Sequence, residues 1–78
     1  MDWRTRIKID PLVCHGKACI AGSRVMVSVV LDNLASGETA ETIAEQHHIT
    51  VEDVQATLEY AAELARERML PPLSSGAA

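Results

Sequence analysis

The sequence predicts a mainly α fold: a three-helix helix-turn-helix domain with a short N-terminal β-hairpin. Three observations predict it. Polar and apolar residues alternate near the start, as a half-buried strand requires, and from Val25 the apolar residues recur at helical spacing. Two short helical segments meet at a brief connection around His48-Ile49, the joint a helix-turn-helix unit needs. The chain has 78 residues, which is room for one domain.

Taken in order, Arg6-Ile7-Lys8-Ile9 alternates and reads as a short strand. Asp10-Pro11 ends it, because proline donates no ladder bond and restricts the residue before it. Val13-Cys14 and Ala18-Cys19-Ile20 flank His15-Gly16-Lys17, where Gly16 can take a positive φ, so the hairpin is predicted to reverse there. Ala21-Gly22-Ser23-Arg24 reads as a second turn. In the first helix Val27, Val30, Leu31 and Leu34 make one apolar stripe, with Ser28, Asp32 and Ser36 opposite. Gly37 is its stop signal.

Thr39 caps the second helix, whose inner face holds Ile43, Ala44 and His47. Ala44 is small where two helices would cross, and Ile49 plugs the turn. The glycine usual in such a turn is replaced by His48. Thr50 caps the third helix, with Glu52 and Asp53 in its first turn, where the helix dipole favours acids. Val51, Val54, Leu58, Ala61 and Ala65 follow at spacings of three and four, the seam one helix presents to another. Tyr60, Leu64 and Met69 widen that seam, and Pro71-Pro72 ends the helix. The expected organisation is a domain over 1–70 and a flexible tail over 71–78.

Composition bounds the function. Apolar residues make up 47% and charged ones 23%, but Phe is absent and Trp3 and Tyr60 are the only aromatics. A core of this size supplies about 3–5 kcal/mol, and a ring-poor one less. That predicts a homodimer, built on the leftover seam of the third helix and the open edges of the short strands. The longest apolar runs are far shorter than the ~20 residues of a membrane span. The start lacks the apolar stretch of a secretory signal, so a cytoplasmic location without disulfides is expected.

No Ser-His-Asp set, phosphate-cradling glycine loop or enclosed carboxylate pair is legible, so no catalytic residue and no cofactor are assigned. Cys14, His15 and Cys19 have the spacing C-H-x3-C, but structural zinc wants four ligands. His47 and His48 would have to complete the set, and packing of two small apolar residues is the simpler reading. No metal is assigned.

Charge is segregated. Arg4, Arg6, Lys8, Lys17 and Arg24 against Asp2 and Asp10 leave residues 1–31 at +3. Residues 32–65 hold Asp32, Glu38, Glu41, Glu45, Glu52, Asp53, Glu59 and Glu63 with no Lys or Arg, a net −8. The two segments either neutralise each other or present opposite fields to separate partners. If operator DNA is bound, Arg4, Arg6, Lys8, Lys17 and Arg24 are the phosphate contacts and Gln55 the base reader. Glu52 and Asp53 stand at the helix end that would enter the groove and oppose it. Glu59, Glu63 and Glu67 line up four apart on one face, either solvated or docking a basic partner.

The stretch from Cys14 to Val25, Cys-His-Gly-Lys-Ala-Cys-Ile-Ala-Gly-Ser-Arg-Val, resembles the N-terminal motif of the family catalogued as domain of unknown function 433. The resemblance continues through Leu31-Asp32-Asn33-Leu34-Ala35-Ser36-Gly37 and from Thr50 to Glu63. The departures are His15 for glycine, Ala18 and Met26 for two prolines, and His47-His48 where a Tyr-Pro pair is common. The resemblance implies a helix-turn-helix class fold. It also implies an antitoxin of a type II toxin–antitoxin pair, facing a PIN-like ribonuclease toxin. On that implication Glu59, Glu63, Glu67 and Leu73 become the toxin-binding candidates. The other reading is a protein-binding oligomeric module with no DNA contact.

Overall fold

Alternation at the start builds strand β1 (Ile7–Asp10), antiparallel to β2 (Val13–Ile20). The computed structural model describes residues 2–67; Met69, the Pro71-Pro72 stop, Leu73 and the 71–78 tail lie outside them. A 3-10 turn at Trp3–Thr5 precedes β1, its Arg4 amide donating to the Asp2 carboxylate. No residue pattern near the start pointed to this turn. Its result is an edge-to-face pair between the two aromatics, Trp3 and Tyr60, with centroids 5.0 Å apart.

The hairpin does not reverse at His15-Gly16-Lys17. It reverses at Pro11-Leu12, where the Asp10 carboxylate accepts from the Leu12 amide at 2.9 Å. That is an Asx turn, reinforced by the fixed φ of proline, and it outcompetes the glycine signal. Ile7 pairs with Ile20, Lys8 with Cys19 and Ile9 with Ala18, but Asp10 pairs with Val13. Residues 14–17 therefore have no partner on β1 and bulge out. Cys14, His15 and Gly16 all take left-handed φ there, at 52°, 56° and 78°.

The predicted second turn forms: the Ser23 amide and hydroxyl both donate to the Ile20 carbonyl, at 3.0 and 2.8 Å. It folds the chain back so that Cys19 bridges Met26.

The three helices follow as predicted: α1 (Val27–Ala35), α2 (Ala40–His47) and α3 (Val51–Glu67). Thr39 caps α2 by accepting from the Thr42 amide at 3.1 Å. Thr50 and Asp53 cap α3 reciprocally, each side chain accepting from the other's amide, at 3.1 and 3.0 Å. His48 takes the left-handed conformation at the end of α2, and the Ile49 amide closes the turn on the Ala44 carbonyl.

Two buried clusters hold the elements. Val30, Ile43 and Val54 meet at the centre of the three helices. Ile7, Ile20, Val27 and Ala56 join the hairpin to α1 and α3. Val25 and Ile49 pack against both clusters. Among the described residues no helix is long and apolar enough to cross a membrane.

Candidate functional site

The helix-turn-helix of α2 and α3 carries the candidate surface, and the hairpin lies beside it. Arg6, at the foot of β1, sets the relation between them. Its guanidinium donates to the Asp53 carboxylate at 3.0 Å and reaches the Thr50 hydroxyl at 3.5 Å. Asp53 is thereby held by its own helix cap and by a cation from the hairpin. Burial opposes its ionisation, but the Thr50 amide and the Arg6 guanidinium outweigh that and hold its carboxyl below the usual range.

Arg4 makes a second, looser bridge. It lies 3.4 Å from Asp2 and 3.8 Å from Glu63, with its guanidinium 4.6 Å from the centre of the Trp3 ring. The basic N-terminal segment and the acidic third helix thus neutralise each other in part.

That leaves the other basic candidates. Lys8, Lys17 and Arg24 are exposed and form no ion pair among the described residues. Lys8 and Arg24 line a cleft of about 320 Å³ with Asp10, Cys19, Gly22 and Ser23. Lys17 stands at the rim of a separate, mostly apolar groove of about 230 Å³, floored by Ala18, Val27, Leu31, Tyr60 and Leu64. The five basic residues therefore form no single face.

On α3 the apolar positions split into two registers. Val54, Ala56 and Thr57 are fully buried, and the Thr57 hydroxyl is satisfied by the Val54 carbonyl at 2.7 Å. The seam expected through Val51, Val54, Leu58, Ala61 and Ala65 does not stay on one side. Val54 and Ala61 turn inward, while Val51 and Leu58 remain 41% and 43% exposed. The helix axis is rotated so that Ala56 can approach the hairpin cluster, and that rotation carries Val51, Leu58 and Ala65 outward. The outward register is Val51, Gln55, Leu58, Ala62 and Ala65, all exposed, at spacings of four and three.

Gln55, the base-reading candidate, thus stands in a row of apolar neighbours rather than among cations. Of the toxin-binding candidates, Glu59 and Glu63 are half-buried beside this register and Glu67 is exposed; Leu73 lies outside the described residues. Glu63 also holds Arg66 at 3.4 Å.

The outward register was legible only in part: Val51, Leu58 and Ala65 belong to the expected seam, whereas Gln55 and Ala62 were not placed with them. Apolar residues on α3 occupy more than one helical stripe, and a helix that buries one stripe in its own core has another to offer. His47 is accounted for locally: its Nε2 accepts from the Asn33 side-chain amide at 2.9 Å, tying α2 to α1. Among the described residues no three His, Cys, Asp or Glu side chains converge as a metal site.

The family description "Protein of unknown function (DUF433)" matches residues 7–61, which span both hairpin strands, α1, α2 and most of α3. The chain belongs to this family. A crystal structure of Rv2018 from Mycobacterium tuberculosis is similar to it, with 29% identity and a TM-score of 0.62. The match covers 67% of this chain and 24% of that one, so the chain spans about a quarter of that protein's length. No curated protein matches.

Proposed function

We propose that this family member is a non-catalytic antitoxin whose α3 docks on a PIN-like ribonuclease toxin. The observation that carries this reading is the outward register of α3. Val51, Leu58, Ala62 and Ala65 form an apolar row that the chain's own core leaves uncovered, flanked by Glu52, Glu59 and Glu63. A single helix with an apolar stripe bordered by acids along one side fits a partner groove with an apolar floor and a basic edge. A ribonuclease that binds RNA phosphates has a basic surface of this kind.

Docking there also explains the guanidinium pair beside it. With Arg6 on Asp53 and Arg4 near Glu63, the N-terminal segment fixes α3 against the hairpin and leaves its far side free.

The test is co-expression with a PIN-like ribonuclease found encoded next to it. The pair should co-purify, and growth and RNA cleavage should reveal inhibition. Leu58→Arg should break the complex while leaving thermal stability within about 0.5 kcal/mol, as expected of an exposed site. An inhibited toxin still bound by that variant sinks the α3 docking.

Operator binding is a second activity within this proposal, carried by Lys8, Lys17 and Arg24 with Gln55 at the groove. Arg4 and Arg6 are committed to carboxylates, so a dimer brings three uncommitted cations per chain. If all of these met phosphates, the log–log salt slope would be about −5. Failure to shift promoter DNA at low salt, with and without the toxin, leaves the protein-binding module as the reading.

A further inference from the structure

The bulge of β2 brings together two groups that the proposed function does not use. Cys14 and Cys19 are both free thiols, Cys14 half-buried and Cys19 1% exposed. Five residues apart on a straight strand they would stand on opposite faces, well separated. The left-handed run Cys14-His15-Gly16 folds the strand back on itself instead.

As a result the Cys14 thiol donates to the Arg24 carbonyl at 3.3 Å, and the Cys19 thiol lies 3.9 Å from the Ser23 carbonyl. Those carbonyls are consecutive in the chain, and the second turn holds them against β2 through the Ile20 amide, which donates to Val25. Both sulfurs thus lie on neighbouring carbonyls of one turn. Packing alone does not require two thiols on neighbouring carbonyls.

We propose that Cys14 and Cys19 form an oxidisable dithiol, a modification site at which a hydroperoxide converts the pair into an intramolecular disulfide. Cys14 is the group the oxidant meets, because Cys19 is covered. The Cys14 thiolate attacks the peroxide; an S–O bond forms, the O–O bond breaks and one water leaves, with sulfur oxidised to sulfenic acid. The Cys19 thiolate then attacks that sulfur; the S–S bond forms, the S–O bond breaks and the departing hydroxide takes up a proton as the second water. The net change is two thiols and one hydrogen peroxide to one disulfide and two waters. Burial, followed by the neighbouring Cys14, pushes the Cys19 thiol up from its ordinary value, so closure is the slower of the two steps.

The reaction takes both S–H donors away from the Ser23 and Arg24 carbonyls. Those carbonyls belong to the turn that carries Arg24 along the cleft it shares with Lys8, and the turn's own hydrogen bonds between Ser23, Ile20 and Val25 remain.

The test uses the full chain, purified reduced and treated with one equivalent of hydrogen peroxide. Intact mass should fall by two hydrogens. Alkylation under denaturing conditions should drop from two adducts to none, and dithiothreitol should restore both. The Cys19→Ser variant should stall with Cys14 captured by dimedone. The Cys14→Ser variant should lose about tenfold or more of the rate of thiol oxidation, its remaining thiol being buried. Two thiols still free after peroxide, Cys14 driven to sulfinic acid beside an intact Cys19, or a disulfide between chains would each overturn the proposal.

Discussion

His48 makes the sharp bend of the helix-turn-helix in the left-handed region, φ 56°, although it carries a β-carbon. That conformation costs an L-residue about 1–2 kcal/mol relative to glycine. Histidine is among the residues that tolerate it. His48→Gly should therefore stabilise the fold by about 1 kcal/mol, raising the melting temperature by roughly 4–8 °C. A lower melting temperature would show that the exposed ring contributes something that outweighs the strain. Cys14 and His15 repeat the same strained geometry in the bulge. There the result places two thiols on neighbouring carbonyls rather than making a tight reversal.

At the scale of elements, α3 depends on its first turn. Thr50 and Asp53 satisfy each other's amides, and Arg6 anchors the same carboxylate to the hairpin. Asp53→Ala should cost about 1 kcal/mol for the cap alone, and more if the Arg6 bridge contributes. The pH dependence has a definite sign. The folded Asp53 carboxyl is held below its unfolded value, so its contribution is complete above the ordinary Asp value of about 3.9 and is lost as pH falls through the lower folded one. Denaturant titrations across that acid range should show Asp53→Asn losing less stability on acidification than the native chain. Equal acid sensitivity would mean that other carboxylates dominate. The capping signal itself, Thr followed three residues later by an acid, was legible in the sequence. The long-range anchor Arg6 was not, because it spans 47 positions.

For the whole molecule, three side chains decide stability. Val30, Ile43 and Val54 are each fully buried where the helices meet. Ile43→Ala should cost about 2–5 kcal/mol, which equals the whole supply of a core this small. The variant's far-ultraviolet circular dichroism should report a largely unfolded chain at low concentration. Assembly offsets such losses by mass action. β1 has a strand partner on one side only, with Ile9 61% and Leu12 90% exposed at that end of the hairpin. Sedimentation at micromolar concentration should show a dimer, and Ile9→Lys should convert it to a monomer without unfolding it. A native chain that sediments as a monomer removes the strand edge as an interface.

The three helices, the N-caps of α2 and α3 and the helix-turn-helix joint were determined by the sequence itself. Each rests on local physics: apolar spacing, a threonine before a first turn, a glycine after a last one. The position of the hairpin reversal was also a local contest, between an Asx turn at Asp10 and a glycine at Gly16, and composition alone does not rank the two. What only the tertiary structure decided is which faces remain available. Arg4 and Arg6 stood open between phosphate contact and neutralisation and are paired with α3, since a cation is committed only by what the fold brings within about 4 Å. Val51 and Leu58 shared one expected seam with Val54 and Ala61 yet face outward, because Ala56 turns α3 toward the hairpin. Periodicity gives the stripes on a helix, but the stripe that is buried is chosen by the neighbours, which one-dimensional spacing does not contain.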